Sequence, residues 1–186
     1  MGKLILVTGG ARSGKSTFAE KLSADIAQKV LYIATAIAFD EEMQERIKKH
    51  RESRPKEWDT FEGYRDLGQV LEAQGSNYDA ILLDCVTVML TNLLWDYPGM
   101  DFDKPSFEVL KEAETFVAAE FDKLIAAALE GKATVVLVTN ELGSGLVPEN
   151  EISRTFRDIA GRINQRIAAK CHEVYLTVCG IPMKIK

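Results

Sequence analysis

The sequence predicts an α/β fold with a mainly parallel central sheet and helices on both faces. Short apolar segments alternate along the chain with longer segments whose apolar residues recur at helical spacing. This alternation is typical of β–α–β units, in which consecutive strands run parallel. No repeat, low-complexity tract or linker interrupts it over 186 residues, a length that suits one domain. We therefore expect a single domain covering residues 1–186.

The first strand leads directly into a glycine-rich loop. Lys3 to Val7 reads as a buried strand, and residues 16–28 carry apolar residues at helical spacing. The segment between them matches the phosphate-binding loop pattern G-x-x-x-x-G-K-[ST] at every fixed position; it reads Gly9-Gly10-Ala11-Arg12-Ser13-Gly14-Lys15-Ser16. Because the motif lies between a strand and a helix, the sequence predicts a P-loop NTPase-like fold that binds a nucleoside triphosphate.

The residue types of this loop suit that chemistry. Glycines let consecutive backbone N–H groups turn toward phosphate oxygens, and the start of the following helix adds partial positive charge. Lys15 can reach the β- and γ-phosphates, and the Ser16 hydroxyl can ligate an accompanying Mg²⁺. Thr17 is the weaker candidate for the metal. A glycine-rich turn without a nucleotide is the alternative interpretation.

The next segments predict a second strand and several helices. Val30 to Ala34 is a buried strand that ends at Thr35, and Asp40 to Glu52 is a helix closed by Pro55. A short extended piece at residues 57–62 and a helix at residues 64–74 follow. Loops after parallel strands open at the ligand-binding edge of such sheets.

Residues 78–84 form the third strong strand, which finishes in a carboxylate, Asp84. In phosphate-loop proteins an acidic residue at the end of such a strand holds the Mg²⁺ shell, so Asp84 is a second metal candidate. A surface aspartate without a metal role is the alternative.

The second half of the chain continues the alternation. Helices are predicted at residues 86–94, 105–130 and 154–169, and strands at residues 134–138 and 173–178. The polar triplet 139–141 and the glycines after it predict a second ligand-facing loop. Arg157, on the last helix, either contacts a phosphate or is a solvated or ion-paired residue.

Composition excludes some classes of function. Hydrophobic residues make up 46% of the chain and charged residues 27%, with a net charge of −5, so nucleic acid is disfavoured as the partner. No apolar run approaches the roughly 18 residues that span a bilayer, so we expect no membrane insertion. Cys85, Cys171 and Cys179 lack metal-binding spacing and are expected to be free thiols in a reducing cytoplasm.

His50 lies among cations on the helix predicted for residues 40–52, close to Lys49 and Arg51. Neighbouring cations favour an unprotonated imidazole nitrogen, the form that attacks phosphorus, and they also attract phosphates. A solvated surface histidine is the alternative that the local chemistry leaves open.

Taken together, the order of these motifs resembles the bifunctional adenosylcobinamide kinase/adenosylcobinamide-phosphate guanylyltransferase family of cobalamin biosynthesis. The resemblance covers nearly the whole chain. Some relatives have Glu at the position of Asp84. The aspartate side chain is shorter by one methylene, so its carboxylate reaches less far. The matching segments are residues 6–16, 32–35, 46–47, His50, 54–55, Trp58, 82–85, 91–93, 138–141, Gly143, Gly145, 147–150, 156–161 and 164–165.

The resemblance implies a two-step activity. The family phosphorylates the aminopropanol hydroxyl of adenosylcobinamide with ATP or GTP. It then takes GMP from GTP onto a histidine, matched here by His50, and passes it to adenosylcobinamide phosphate. By similarity, Glu62 pairs with guanine, and Mg²⁺ and Lys15 offset charge on the leaving pyrophosphate. The implied nucleotide contacts are residues 9–16, Ile33, Ala34, Thr35, Arg51, Glu52, Ser53, Arg54, Glu62 and Asp84.

The resemblance also implies a homotrimer in which a neighbouring subunit completes the site. Three other functions stay open from the sequence: a guanylyltransferase that lacks the kinase activity, a plain P-loop small-molecule kinase without a covalent histidine, and a nucleotide-dependent switch.

Overall fold

The computed structural model describes residues 2–37, 45, 55–101, 103–104 and 106–186. Within these ranges seven strands form one sheet in the order β3-β2-β4-β5-β1-β6-β7. The strands are β1 (Leu4–Gly9), β2 (Val30–Ala34), β3 (Asp59–Glu62), β4 (Ala80–Asp84), β5 (Thr134–Asn140), β6 (Glu173–Val178) and β7 (Ile181–Lys184).

Strands β1 to β6 pair in parallel, and β7 pairs with β6 in the antiparallel direction. Gly9 at the end of β1 lies opposite Asn140 at the end of β5, and Ala34 lies opposite both Glu62 and Asp84. The carboxyl ends of these strands therefore meet at one edge of the sheet, where open α/β sheets bind ligands.

The helices lie on both faces of the sheet, as the sequence predicts. In the described parts of the chain they are α1 (Lys15–Ile26), α2 (Leu67–Gln74), α3 (Val86–Trp95), α4 (Phe107–Glu130) and α5 (Glu151–Lys170), with one 3₁₀ turn at Gly75–Asn77. Residues of α2 to α5 pack against one face in the larger core cluster, and residues of α1 pack against the other face in the smaller cluster.

The side chains of β1 point alternately to the two faces of the sheet and so belong to two different core clusters. Leu4 and Leu6 of β1 belong to the larger cluster, whereas Ile5 and Val7 belong to the smaller one. Each of the four side chains is at most 2% exposed. Successive side chains of a strand point to opposite faces, so a strand covered by helices on both sides is apolar throughout. This explains why β1 has an unbroken apolar sequence.

The predicted α/β fold is confirmed, with differences at several element ends. The helix predicted from Tyr64 begins at Leu67, because Asp66 before it has φ 52°, in the left-handed region that a right-handed helix does not contain. The last helix begins at Glu151 rather than Arg154, because the Asn150 side chain accepts the Ser153 N–H at 3.2 Å and caps it. Strand β5 continues through Asn140 into the polar segment that was predicted to be loop.

Strand β7 was not predicted, and the extended piece predicted at residues 57–62 is β3, from Asp59 to Glu62. The helix predicted for Asp40 to Glu52 lies outside the described residues except for Glu45, which is helical and exposed. Within the parts of the chain that are described, no helix has both the length and the apolar character needed to cross a membrane.

Candidate nucleotide-binding site

The phosphate-loop sequence forms the connection between β1 and α1. Gly14 is the residue before the helix and has φ 90°, in the left-handed region that favours glycine. A Cβ atom at Gly14 would lie 3.0 Å from Cα of Gly180, so the loop is packed closely against the chain near Gly180. The Gly14 carbonyl accepts the Phe18 N–H at 3.0 Å, which begins the hydrogen bonding of α1.

The two glycines at the start of the loop have different environments. A Cβ atom at Gly9 would lie 2.5 Å from the Ser13 hydroxyl and 2.5 Å from the Thr177 carbonyl, so only glycine fits there. A Cβ atom at Gly10 would meet no described atom within 4 Å. Gly9 is therefore required by the protein's own packing, whereas Gly10 borders open space.

Lys15 is the first residue of α1 and is 9% exposed. Its ammonium group donates to the Gly10 carbonyl at 3.1 Å, so the side chain folds back over the loop. Burial lowers the pKa of Lys15, and the nearby Cys85 and Asp84 oppose part of that effect. A buried cation over a loop of backbone amides is a site prepared for an anion.

The Ser13 hydroxyl is a second sign of an anion site. Ser13 is 8% exposed, and its Oγ has no hydrogen-bond partner among the described residues. Buried hydroxyls are normally hydrogen-bonded, and an exception needs an explanation. A phosphate oxygen in the loop would supply the missing partner.

Asp84 and Ser16 lie at the same edge of the sheet as the loop. Asp84 is the last residue of β4 and is half-buried, and Ser16 lies in the first turn of α1. Burial lowers the pKa of Lys15, and the nearby negative charge of Asp84 opposes that effect. One hydroxyl and one carboxylate are oxygen ligands of the kind that Mg²⁺ takes from proteins, together with nucleotide phosphates. The two predicted metal ligands therefore fit that ion.

The predicted nucleotide contacts at the end of β2 are buried residues. Ile33 and Ala34 are buried, and Thr35 is 1% exposed. The Thr35 hydroxyl accepts the Cys85 N–H and donates to the Cys85 carbonyl, both at 2.9 Å. The Asn92 amide donates to the Thr35 carbonyl at 2.8 Å. In this structure Thr35 fixes the end of β2 to the segment after Asp84, so its hydroxyl serves the protein itself.

Glu62, the residue expected to pair with guanine, is the last residue of β3 and is exposed. It lies opposite Ala34 in the register, which brings it to the same sheet edge but several strands away from β1. The remaining predicted contacts, His50, Arg51, Glu52, Ser53 and Arg54, lie outside the described residues.

A buried polar network that the sequence analysis missed supports the end of β5. The Asn140 N–H donates to the Thr87 hydroxyl at 2.8 Å, and the Thr139 hydroxyl donates to Oδ1 of Asn164 at 2.7 Å. The Asn164 amide in turn donates to the Asn140 carbonyl at 3.0 Å. A polar residue early in α3, Thr87, was the signal available in the sequence, but it does not identify its partners.

The loop after β5 is ordered by Glu141. Its carboxylate accepts the Gly143 N–H at 2.8 Å and the Ser144 N–H at 3.0 Å. Burial alone would raise the pKa of Glu141, but these hydrogen bonds and the charge of Arg157 lower it. Arg157 donates to the Leu146 carbonyl at 3.4 Å, so it contacts the backbone of the predicted second ligand-facing loop.

The turn between β6 and β7 is a further feature that the sequence analysis missed. Cys179 and Gly180 have φ 50° and 80°, and the Gly180 N–H donates to the Ser13 carbonyl at 2.8 Å. The turn therefore holds the phosphate loop from the side of the sheet away from β5. A glycine two residues before Pro182, directly after a strand, was the turn signal in the sequence.

The three cysteines are free, as expected. Burial raises the pKa of Cys85 and of Cys171 to about 12, so both thiols stay protonated near neutral pH. Within the described ranges, no cluster of three or more His, Cys, Asp or Glu side chains is arranged to hold a metal.

The parallel sheet, the amide-lined loop with its buried lysine and the carboxylate at the end of β4 define a P-loop nucleotide-binding protein. Solved structures with the same fold agree. A type III secretion ATPase has a TM-score of 0.56 at 13% identity, covering 95% of this chain and 51% of the other. The RadB recombinase has a TM-score of 0.50 at 16% identity, covering 94% and 73%. These likenesses concern the fold alone.

Within that class, this chain belongs to the CobU family, described as cobinamide kinase / cobinamide phosphate guanyltransferase, whose model matches residues 5–185. The bifunctional adenosylcobalamin biosynthesis proteins CobU of Escherichia coli and of Salmonella typhimurium are each 50% identical over 98% of this chain and 99% of their own length. The protein CobP of Pseudomonas aeruginosa is 40% identical over 97% of this chain and 96% of its own. The family resemblance predicted from the sequence is confirmed.

Proposed function

We propose that this protein phosphorylates adenosylcobinamide with ATP or GTP and transfers GMP from GTP to adenosylcobinamide phosphate, giving adenosylcobinamide-GDP. The observation that carries the proposal is the match to the kinase and guanyltransferase family over residues 5–185. The relatives that match over nearly their whole length carry names that describe them as bifunctional. The phosphate loop and its buried Lys15 support the nucleotide-binding part of this function.

In the kinase step, the corrinoid hydroxyl oxygen forms a bond to the γ-phosphorus of the triphosphate. The bond between the γ-phosphorus and the oxygen that bridges the β- and γ-phosphates breaks. The nucleoside diphosphate leaves, and the hydroxyl proton is released. The amides of residues 9–16 and the Lys15 ammonium hold the phosphates and offset the charge that moves to the leaving group. The unpartnered Ser13 hydroxyl supplies a further hydrogen bond to a phosphate oxygen.

In the transfer step, an imidazole nitrogen of His50 forms a bond to the α-phosphorus of GTP, and pyrophosphate leaves. The phosphate of adenosylcobinamide phosphate then attacks the same phosphorus. The phosphorus–nitrogen bond breaks, a diphosphate linkage forms, and His50 is regenerated. A covalent intermediate divides one difficult displacement into two easier ones.

We assign the remaining nucleotide contacts by family similarity. The Glu62 carboxylate accepts the N1–H and 2-amino hydrogens of guanine, a pair that adenine does not offer. Residues 33–35 provide backbone along the nucleoside, and Arg51 to Arg54 provide cations and polar groups near His50. Thr35 contributes through its main chain, since its hydroxyl is engaged with Cys85.

Mg²⁺ fits the site through Ser16 and Asp84. The ion, when bound, neutralises charge on the phosphates. Asp84 at the end of β4 and Ser16 in the first turn of α1 would hold the ion. Lys15 lies beside both, so cationic charge at the loop does not depend on the metal alone.

We further propose that residues 1–186 act as one catalytic domain, in the cytoplasm, as a homotrimer. The trimer is proposed from family similarity; Leu146, Phe107 and Ile181 are apolar side chains exposed by 96%, 81% and 66%. Light scattering coupled to size-exclusion chromatography tests the assembly, and a monomer at micromolar concentration would contradict it.

The transfer step is tested with GTP labelled at the α-phosphate and Mg²⁺. The wild-type protein should acquire a label that is labile in acid and stable in alkali, as a phosphoramidate is, and His50→Ala should not. His172→Asn is the matched control, because its side-chain oxygen replaces the Nδ1 atom that accepts the Leu4 N–H at 3.0 Å. An unlabelled wild-type protein that still phosphorylates adenosylcobinamide would identify a plain kinase instead.

A further inference from the structure

A groove lies beside the phosphate loop, between α1 and the β6–β7 turn. It runs from Gly14 and Gly180, where the loop and the turn touch, outward along α1 to Asp25. Its volume is about 560 Å³, within the range of about 300–1,000 Å³ typical of small-molecule sites. The groove therefore borders the phosphate loop at Gly14 and is large enough for part of a nucleotide.

The groove and the expected guanine site lie on opposite sides of the phosphate loop. Strands β6 and β7 follow β1 in one direction across the sheet, whereas β5, β4, β2 and β3 follow it in the other. Glu62, at the end of β3, belongs to the second side. A triphosphate held by the loop can direct its nucleoside to one side or the other, but not to both at once.

The side chains of the groove suit a base and a ribose. The Phe18 ring, Leu22 and Pro182 provide apolar surface, and the Phe18 ring is held by Tyr175 at a centroid distance of 5.1 Å. Aromatic and apolar surfaces of this kind stack on any base. Farther along α1, Lys21 and Asp25 are exposed and four residues apart, so they share a face and offer a donor and an acceptor.

The two reactions use opposite ends of the triphosphate. The kinase presents the terminal γ-phosphorus to an acceptor, whereas the transferase presents the α-phosphorus, next to the nucleoside, to His50. If the nucleotide binds the same loop in the reverse orientation, its α-phosphorus and γ-phosphorus exchange places relative to the two sides of the sheet. A single phosphate loop can then serve both steps if each nucleotide orientation has its own place for the nucleoside.

We propose that the nucleotide of the kinase step places its base and ribose in this groove, while the GTP of the transfer step places its guanine on the Glu62 side. The inference rests on the proposed function, since it assumes that both steps occur. The groove holds a purine by stacking on the apolar wall formed by Phe18, Leu22 and Pro182, and stacking does not distinguish adenine from guanine. It therefore accepts ATP and GTP alike.

Two tryptophan variants test the groove. Lys21→Trp fills it, and Ala24→Trp places the same side chain on an exposed position of α1 outside it. Lys21→Trp should raise the KM for ATP in adenosylcobinamide phosphorylation about tenfold more than the KM for GTP in protein guanylylation, the loss expected when a base loses its stacking surface. Ala24→Trp should change the two KM values equally. Equal changes in Lys21→Trp would overturn the inference.

Photolabelling gives a second measurement that does not depend on a variant. The probe is 8-azido-ATP, irradiated with the wild-type protein and mapped by peptide mass spectrometry. Label within residues 17–25 or 180–182 supports the groove, and label confined to residues 33–35 or 59–63 overturns it. A wild-type protein that fails to phosphorylate adenosylcobinamide contradicts the proposed function instead, so the two failures are distinguishable.

Discussion

Lys15 is a buried cation that the protein alone only partly stabilises. Its hydrogen bond goes to a neutral carbonyl, that of Gly10, and burial lowers its pKa. Phosphate groups in the loop would stabilise the charged form, because an opposite charge nearby favours ionisation. Nucleotide binding and protonation of Lys15 are therefore coupled.

This coupling predicts a pH dependence of nucleotide affinity. The protonated form binds phosphate, so the affinity for GTP should fall as the pH rises through the lowered pKa of Lys15, below the range of an ordinary lysine at about 10.4. Isothermal titration over a pH series measures it. Lys15→Met should bind about tenfold to a hundredfold more weakly and lose this pH dependence, because a hydrogen bond to a charged group is removed. The same slope in both proteins would contradict the role of Lys15.

Substitutions of Gly14 and Gly10 are predicted to differ in their effect on stability. Gly14→Ala should lower the free energy of unfolding by about 1–3 kcal/mol, because its Cβ meets Cα of Gly180 at 3.0 Å and its φ is 90°. Gly10→Ala is the matched control, since its Cβ meets open space, and it should change stability by less than about 0.5 kcal/mol. Urea denaturation without nucleotide measures both. Equal losses would show that the contact with Gly180 is unimportant.

At the scale of elements, the strands that the sequence predicts are those buried on both faces. Each of these strands has an unbroken apolar run, such as Leu4 to Val7, because every residue of the run is buried on one face or the other. Strand β7 has no such run, because all four of its residues are exposed and it is paired along one side, with β6. Its sequence contains Pro182, which argues against a strand except at an edge. The extended conformation of β7 therefore depends on its pairing with β6 and not on an apolar pattern in its own sequence.

Some parts of the site are contiguous in the sequence, whereas others depend on contacts between residues that are far apart in the chain. The phosphate loop is a contiguous motif, so its residues and its place after β1 are predictable from the sequence. The network that joins Thr87 to Asn140 links residues more than fifty positions apart. Nothing local in α3 or β5 specifies this pairing, which arises when the sheet brings the two elements together.

That network predicts a measurable contribution to stability. Thr87→Val keeps the shape of the side chain but removes the acceptor of the Asn140 N–H, so it should lower the free energy of unfolding by about 1–3 kcal/mol. Thr91→Val on the same helix is the control, because the Thr91 hydroxyl bonds to the Thr87 carbonyl of its own helix. Chemical denaturation compares them. An effect of Thr91→Val as large as that of Thr87→Val would argue against the network.

Glu173, the first residue of β6, contacts the last residue of β7 and the residue before β1, at the end of the sheet opposite the β6–β7 turn. Its carboxylate is paired with Lys3, accepts the Tyr175 hydroxyl at 2.6 Å and lies 3.3 Å from the Lys184 ammonium. Led by the contact with Lys3, these interactions lower the pKa of Glu173 from 4.5 to about 2. The native state therefore binds fewer protons at this group than the unfolded state does.

The consequence is a loss of stability in acid. The contribution of Glu173 should be complete above pH 4.5 and should disappear as the pH falls toward about 2. Wild-type protein should therefore be more stable than Glu173→Gln near neutral pH, with the difference shrinking below pH 4.5 in thermal unfolding at a series of pH values. Glu149→Gln, at an exposed loop carboxylate, should follow the wild type throughout. A constant difference between wild type and Glu173→Gln would refute the assignment.

For the molecule as a whole, the sheet order places different elements on the two sides of the phosphate loop, as the proposal of two nucleotide orientations requires. Strand β1 lies inside the sheet, so its loop is flanked by the β6–β7 turn on one side and by the ends of β5, β4, β2 and β3 on the other. The fold and the loop are predictable from the sequence, and family membership supplies the corrinoid substrate. The proposed role of His50 rests on family similarity, because no local pattern separates a nucleophilic histidine from a solvated one.

The most direct test of the account is the intact mass of the protein after incubation with GTP and Mg²⁺. Wild-type protein should gain the mass of one guanylyl group, and the gain should disappear when adenosylcobinamide phosphate is added, with adenosylcobinamide-GDP as the product. His50→Ala should show no gain. An unchanged wild-type mass, or the same gain in His50→Ala, would contradict the covalent step on which the proposed transfer depends.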